Sequence, residues 1–378
     1  MNSLKATIFL LLCILLLGIA NSRSDIAAAA TPASTFTPDT GILRAFSQAD
    51  ALVIGKDRVL RPITRDKDTN LKIDHTTQMV LTGGSETYRI SAASKIANSH
   101  FVYLVDKKPQ AVISPKLDEA ANVLQMDLRT GQSKVLFSRK NISEIYISPD
   151  EMQVVVTYVV TDSKGETRGA RSFCVLMIAK GGCTDVQMSG HFYLSIGWLN
   201  NTTFFYTDRG PSLLVVDTNT MQAREQSVKG MSSIDYGAYV ANRGVLILSG
   251  FPNPYTGTSP NQVFEYDFKA NAITLISSAS IVDQCRDIDG LRVSPDGRYL
   301  SFISGTCIPN NRSWSVVEAK TNKTIVSGIK GTNYPSVQWN RDSSGLYLQA
   351  NGLKYVDMNT KTISAVPDAP EDAQVIIP

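Results

Sequence analysis

The sequence predicts an all-β fold, a seven-bladed β-propeller of four-stranded antiparallel blades. Three observations lead to this prediction: a hairpin with clear turn chemistry, a strand-closing pattern that occurs seven times, and a repeat length of roughly 40–50 residues. From residue 41 onward, short strand-like runs alternate with turns, and no helical periodicity persists. A two-sheet sandwich is the alternative, but such a fold rarely repeats one closing pattern seven times.

The clearest hairpin has the sequence GLRVSPDGRYLSFIS and spans residues 290–304. Its turn is Ser294-Pro-Asp-Gly297, in which Pro fixes φ, Asp bonds its own backbone and Gly takes the left-handed conformation. In a hairpin with this turn, two residues lie opposite one another when their residue numbers sum to about 592. Cys285 and Cys307 satisfy that sum, so we expect a disulfide between them.

Each repeat closes with an apolar strand, a marker residue, a short turn and a second apolar strand, and the marker is acidic in every repeat except the third, where it is Ile178. The marker residues of these closings are Asp74, Asp127, Ile178, Asp217, Asp267, Glu318 and Asp357. Successive markers are 53, 51, 39, 50, 51 and 39 residues apart. An Asp before a turn accepts hydrogen bonds from backbone N–H groups, so these acids are explained without a ligand.

Further hairpins lie between these closings and supply the two inner strands of a blade. They comprise residues 145–150 with 154–160, residues 196–201 with 203–206, and residues 337–340 with 346–348. One opening hairpin and one closing hairpin together give a four-stranded blade.

The segment SPDGRYLSF at residues 294–302 resembles the TolB-like, WD-repeat-like β-propeller family, as does the closing pattern x-x-Asp-x-x-Thr. Ser148-Pro-Asp150 matches the same turn more weakly. This resemblance implies the fold but no particular activity, since related propellers serve many unrelated roles. We expect neither the α/β domain that precedes the blades in TolB nor the hydrolase domain that follows them in prolyl-oligopeptidase-type peptidases.

The N-terminus predicts export. Lys5 precedes an apolar run, and the small residues Gly18 and Ala20 favour cleavage of a signal peptide that covers residues 1–20. Cleavage after Ala30 and an uncleaved anchor are the alternatives. Residues 21–40 are rich in Ala, Ser, Thr and Pro, which is typical of a flexible leader. Residues 41–378 would then form a single propeller domain without a transmembrane span.

Four cysteines remain outside the signal, an even number that favours disulfides in an exported chain. Cys174 and Cys183 pair by elimination. A turn at residues 180–182, however, would place Cys174 nearer Gln187 than Cys183. Either that strand interpretation is wrong or these two thiols stay free.

The charge is nearly balanced at +3, which argues against nucleic acid as a partner. The three histidines, His75, His100 and His191, occur in different repeats, so no metal site is expected. The acidic cluster at residues 283–289 contains Arg286, which favours a salt-bridged loop over a calcium site. No cofactor is expected.

We expect a binding site where the loops before the innermost strands surround the central channel, because aromatic and charged side chains there suit a peptide or polysaccharide. The candidate residues are Lys140, His191, Tyr193, Asp235, Tyr236, Arg286, Asp287 and Tyr334. The sequence thus favours a periplasmic or extracellular monomer, a non-catalytic scaffold for a protein or glycan partner. The alternative is a lyase or glycosidase that uses Asp235 and Asp287.

Overall fold

The structure is a computed structural model, and it describes residues 40–66, 70–85, 88–96, 99–108, 119–161, 167–186, 195–256, 261–278, 289–304, 313–330, 337–370 and 372–378. These residues belong to one compact unit, Pro38–Pro378. They form seven antiparallel sheets arranged as a seven-bladed propeller, which confirms the predicted fold.

Six blades follow one another along the chain, each with its strands in sequence order from the channel outward. Blade 1 consists of β5 (Arg89–Ser94), β6 (Phe101–Lys107), β7 (Ala120–Asp127) and β8 (Ser133–Lys140). Blade 2 consists of β9 (Ile142–Ile147), β10 (Gln153–Thr161), β11 (Thr167–Met177) and β12 (Gly182–Asp185). Blade 3 consists of β13 (Ser195–Trp198), β14 (Thr203–Thr207), β15 (Ser212–Asp217) and β16 (Gln222–Ser227). Blade 4 consists of β17 (Met231–Val240), β18 (Val245–Pro252), β19 (Gln262–Asp267) and β20 (Ala272–Ser278). Blade 5 consists of β21 (Asp289–Val293), β22 (Tyr299–Ser304), β23 (Ser313–Glu318) and β24 (Lys323–Lys330). Blade 6 consists of β25 (Val337–Trp339), β26 (Gly345–Gln349), β27 (Leu353–Asp357) and β28 (Thr362–Ala365).

Blade 7 joins the two ends of the domain. It contains β1 (Ala51–Ile54), β2 (Val59–Arg65), β3 (Leu71–Ile73), β4 (Met79–Val80) and β29 (Gln374–Ile376). The C-terminal strand β29 pairs with β1, so the last residues supply the innermost strand of a blade built otherwise from the first ones. The predicted closing at Asp74 differs here, because β3 and β4 do not pair with each other but both pair with β2.

The middle strands are continuous apolar runs because each sheet is covered on both faces by its neighbours. In β6, Val102 and Leu104 pack in a cluster with Leu52 of blade 7. The alternate residues Tyr103 and Val105 pack in a cluster with residues of blade 2. The side-chain period of two therefore sends successive residues to opposite interfaces between blades.

The predicted turn chemistry is present at residues 294–299. The Gly297 N–H donates to the Ser294 carbonyl over 2.8 Å, and Gly297 has φ of 72°. Ser294 Oγ lies 2.7 Å from Asp296 Oδ1. Paired residue numbers sum to 593 beside the turn (Val293 and Leu300) and to 592 beyond an irregularity (Asp289 and Ile303), close to the predicted register.

Four of the six marker acids act at their turns as the closing pattern predicts. Asp127, Asp217, Asp267 and Asp357 each accept a hydrogen bond from the backbone N–H two residues later, over 2.7–2.8 Å. Each therefore stabilises the turn between the third and fourth strands of its blade.

Cys174 and Cys183 form a disulfide, with their Cα atoms 5.6 Å apart. The predicted strand register was wrong by two residues: Cys174 lies opposite Asp185, and Cys183 lies opposite Leu176. The β11–β12 turn comprises residues 178–181 and so lies earlier in the chain than predicted, which makes the two cysteines diagonal neighbours close enough to bridge. The expected Cys285–Cys307 bridge lies outside the described residues.

Within the described residues a helix, α1 (Thr40–Gln48), precedes the first strand, and this helix was not predicted. Its Phe46 is buried, and Ile42, one turn earlier on the same face, packs against the same cluster between blades 7 and 1. A nine-residue segment is shorter than the window over which a helical period can be recognised, even with four apolar residues (Ile42, Leu43, Ala45 and Phe46), which explains the omission. Among the described residues no helix has the length and apolar character that crossing a membrane would require.

Candidate binding face

The two ends of the blades differ in the length of their connections. We call the end where the innermost strand of each blade begins the loop end, and the end where it finishes the hairpin end. Between the described strands, every connection at the hairpin end has four to six residues. Seven connections at the loop end have eight to twelve, namely 81–88, 108–119, 186–194, 253–261, 279–288, 305–312 and 366–373. Long connections on a rigid scaffold are where binding residues concentrate.

Five of the predicted site residues occur in connections that lead into an innermost strand, and all five lie outside the described residues. His191 and Tyr193 precede β13, Arg286 and Asp287 precede β21, and Tyr334 precedes β25. Their role stays a prediction.

The other three candidates lie in strands. Lys140 is the exposed last residue of β8, and one residue separates it from β9. Asp235 and Tyr236 lie inside β17 and not in the loop before it. Tyr236 packs against the cluster between blades 4 and 5 that includes Val240 and Leu291, so much of its ring has a structural role.

Asp235 is the extra residue of a β-bulge. The register between β17 and β18 shifts between Ile234 and Tyr236, which pair with Gly250 and Ser249 respectively. A bulge re-aims the side chain at the inserted position and is frequent near functional sites. The Asp235 side chain is half-buried, and its Oδ2 accepts a hydrogen bond of 2.7 Å from Asn261 Nδ2.

A chain of hydrogen bonds from blade 3 holds this bulge. The Gly237 N–H donates to Ser195 Oγ (2.8 Å), and Ser195 Oγ lies 3.1 Å from Thr207 Oγ1. Thr207 Oγ1 donates to the Asp235 carbonyl over 2.9 Å. Because this bond uses the single hydroxyl proton of Thr207, the Ser195 hydroxyl must donate to Thr207. Because Ser195 and Thr207 are buried, the bulged backbone is fixed before any ligand arrives.

Asn261 completes this polar group and was not among the predicted residues. It is buried, with 1% of its surface exposed, and its Oδ1 has no hydrogen-bond partner among the described residues. A buried acceptor without a partner is costly, so it marks a place where a donor would bind favourably. Its position directly after the Pro-rich segment of residues 250–260 is the only sequence signal that points to it.

The β18–β19 connection carries an exposed aromatic side chain at the same end. Tyr255 is 53% exposed and packs edge-on against Phe251, with ring centroids 5.0 Å apart. Ser232 Oγ lies 3.0 Å from the Phe251 carbonyl oxygen and 3.1 Å from that of Pro252, and its single proton is shared between them, which anchors the start of this segment to β17. An exposed, anchored tyrosine offers a flat apolar surface with a hydroxyl at its edge.

The described residues contain no group of three His, Cys, Asp or Glu side chains arranged to hold a metal ion. The arrangement at Asp235 and Asn261 can accept and donate hydrogen bonds, and Tyr255 can stack. These properties suit hydroxyl-rich or peptide ligands.

Comparisons with known proteins give similarity in structure but not in sequence. No protein-family model matches the chain, and no curated protein matches it. TolB from Acinetobacter baumannii is 14% identical over 72% of this chain, with a TM-score of 0.45, and the match spans 61% of TolB. A putative 6-phosphogluconolactonase from Bacteroides uniformis ATCC 8492 is 13% identical, with a TM-score of 0.54, over 86% of this chain and 99% of that protein. At these identities the likeness is one of fold alone.

Proposed function

We propose that this protein is an exported, non-catalytic scaffold that binds a protein or glycan partner in the cell envelope or extracellular space. The observation that carries the proposal is the difference between the two ends of the blades. Selection for stability alone favours short turns, as at the hairpin end, whereas the loop end has seven connections of eight to twelve residues.

The geometry at the loop end supports recognition. The bulge at Asp235 is held in place by neutral hydrogen bonds, and the exposed Tyr255 lies in the connection that leads to Asn261. A preorganised polar group and an anchored aromatic ring at the same end of the blades lower the entropic cost of binding. Export is supported by the N-terminal apolar run and by the Cys174–Cys183 disulfide.

The test is capture of partners by the exported protein from envelope and culture-medium extracts, run alongside a glycan array. One variant carries Arg286→Ala, Tyr334→Ala and Tyr255→Ala at the loop end. Its control carries Lys180→Ala and Lys320→Ala, two exposed positions in hairpin-end turns. We expect a partner or glycan to be retained by the parent and the control and lost by the loop-end variant. Equal retention by all three would refute a loop-end site, and failure of the parent to bind anything would refute the scaffold.

A carbohydrate-active enzyme is the second candidate. It is favoured by the half-buried carboxylate of Asp235, which is held at 2.7 Å from the amide of a buried Asn261. Asp287 would supply the second carboxylate. Turnover of a polysaccharide or sugar lactone that disappears in Asp235→Asn, with the fold retained, would establish this activity in place of the scaffold.

A further inference from the structure

Two buried polar side chains of blade 4 each keep one atom without a hydrogen-bond partner among the described residues. These atoms are Oδ1 of Asn261, which is 1% exposed, and Oγ of Ser249, which is 0% exposed. Buried polar atoms are nearly always paired in folded proteins, because an unpaired one loses its hydrogen bonds to water without replacement. Two such atoms in one blade therefore mark a place where a further hydrogen-bonding group would bind favourably.

The two side chains are neighbours on one face of the blade. Ser249 lies opposite Val263 in the register of β18 and β19, and Asn261 lies two residues before Val263. Val263 and Ile247 pack in the cluster between blades 4 and 5 that includes Leu291. Because side chains alternate between the two faces along a strand, Ser249 and Asn261 point to this same interface.

The spacing of the two side chains leaves room for one atom between them. Diagonal neighbours on adjacent strands have Cβ atoms up to about 7–8 Å apart. The short side chains of Ser249 and Asn261 do not bond to each other across this distance. A single oxygen between them can bond to both, since two hydrogen bonds of about 2.8 Å each span up to roughly 5.6 Å.

The orientation of the Asn261 amide is determined by Asp235. The amide Nδ2 donates to Asp235 Oδ2 over 2.7 Å, and an ionised carboxylate only accepts hydrogen bonds. The nitrogen must therefore face Asp235, which leaves Oδ1 as the unpaired atom. The backbone of the bulge at Asp235 is bonded to Thr207 and Ser195 of blade 3, so the acceptor is fixed before any ligand arrives.

The donors and acceptors of this pair select the ligand group. Asn261 Oδ1 can only accept a hydrogen bond, and Ser249 Oγ has one proton to donate. A ligand hydroxyl fits both, because it can donate to the amide oxygen and accept from the serine at one oxygen atom. An ammonium group has no acceptor and a carboxylate has no donor, so neither satisfies the pair.

The surface at this end of the blade suits a sugar ring. Ser249 lies opposite Tyr236 in the innermost strand, and both Tyr236 and Asp235 keep part of their surface exposed. The connection that leads into Asn261 carries the exposed ring of Tyr255. An aromatic ring offers an apolar face to the C–H groups of a sugar, and polar side chains bond to its hydroxyl groups.

We propose that the loop end binds a neutral glycan and that one sugar hydroxyl bridges Ser249 Oγ and Asn261 Oδ1. This inference rests on the proposed function and narrows its ligand from a protein or glycan partner to a glycan with free hydroxyl groups. Ser249 and Asn261 determine specificity, and Asp235 positions Asn261.

The test is a binding titration of the exported protein with neutral oligosaccharides built from glucose, galactose, mannose or N-acetylglucosamine. Ser249→Ala removes one side of the bridge. Ser301→Ala is the control, because Ser301 is also 0% exposed but alternates with Leu300 and Phe302 and so faces away from blade 4. We expect at least one oligosaccharide to bind the parent and the control equally and Ser249→Ala about tenfold more weakly. Without sugar, the urea midpoint of Ser249→Ala should equal or exceed that of the parent, because the hydroxyl has no partner to lose.

The sugar hydroxyl is tested with monodeoxy analogues of the oligosaccharide that binds. We expect one analogue to bind the parent about tenfold more weakly than the complete sugar does. The loss should be smaller in Ser249→Ala, since two groups that bond to each other are energetically coupled.

Equal affinity of the parent and Ser249→Ala for the sugar would overturn the bridge. A Ser249→Ala variant that unfolds at lower urea and binds sugar as the parent does would assign the pair to a structural water instead. Capture of a protein partner without binding of any glycan would overturn this inference and leave the loop-end scaffold standing. Binding of neither would refute the proposed function as well, so the two failures are distinguishable.

Discussion

Arg58 and Asp106 form an ion pair that is buried between blades 7 and 1, with Arg58 Nη1 2.5 Å from Asp106 Oδ1. The Asp106 side chain is fully buried, and that of Arg58 is 7% exposed. Arg58 Nη2 donates to the Gly83 carbonyl, and the Ser85 N–H donates to Asp106 Oδ2. The pair therefore connects the β1–β2 turn with the segment that enters blade 1.

Loss of one partner should destabilise the fold strongly. Asp106→Asn leaves the Arg58 guanidinium buried without a counter-charge, and we expect the free energy of unfolding to fall by about 3–5 kcal/mol. The change is measured as the shift of the urea unfolding midpoint.

The matched control is Asp127→Asn. Asp127 pairs with Arg129, which is 55% exposed, and Asn still accepts the turn hydrogen bond, so we expect a loss below about 1 kcal/mol. Equal losses in the two variants would contradict the distinction between the buried and the exposed pair.

The disulfides can be tested together by mapping peptides of the unreduced exported protein. We expect two cross-linked pairs, Cys174 with Cys183 and Cys285 with Cys307. Replacing Cys174 and Cys183 by Ala should lower the free energy of unfolding by about 2–3 kcal/mol, as for closure of a short loop. Cross-links that mix the two pairs would contradict the hairpin registers on which both assignments rest.

The parts of the fold that were predicted are local. The turn at Ser294–Gly297 and the acids at Asp217 and Asp357 are encoded within a few residues, because turn conformation and Asx hydrogen bonds depend on neighbours in sequence. The number of blades followed from repetition of these local signals.

The parts that were missed depend on contacts between distant segments. β29 pairs with β1 across more than three hundred residues of sequence, and no turn links the two strands. The bulge at Asp235 requires a hydrogen bond from Thr207 in another blade. Such features follow from closure of the ring and from packing between blades, so the pattern of residues within a single strand does not predict them.

Acid should weaken the turn at Asp74. This carboxylate accepts hydrogen bonds from the N–H groups of Thr76 (2.9 Å) and Thr77 (3.3 Å). Hydrogen bonds from Thr76 and Thr77 lower the pKa of Asp74 to about 2. A lowered carboxyl pKa stabilises the fold above the ordinary value near 3.8, and the contribution is lost as the pH falls toward 2.

We therefore expect the parent to lose stability relative to Asp74→Asn between pH 4 and pH 2, because Asn accepts the same hydrogen bonds and does not titrate in this range. Urea midpoints of both proteins, measured across this range at constant ionic strength, test the difference. If the difference between the two urea midpoints did not change with pH, protonation of Asp74 would have no effect on the stability of the fold.

Lys95 should also make stability rise with pH, but at alkaline pH and for a different reason, because its charged form is the unfavourable one in the folded protein. Its pKa is lowered from 10.5 to about 8, so between these values the unfolded chain binds more protons than the folded protein. Stability then rises with pH, because deprotonation removes the cost of a half-buried charge that faces Arg341 and is only weakly compensated by Glu151.

At pH 7 we expect Lys95→Gln to be more stable than the parent in phosphate-free buffer, and this advantage should shrink as the pH rises through 8. Urea midpoints of the two proteins from pH 7 to pH 10 give the difference directly, with Lys180→Gln as the exposed control. A Lys95→Gln variant that is less stable than the parent at pH 7 would mean that the ammonium is already compensated in the folded protein.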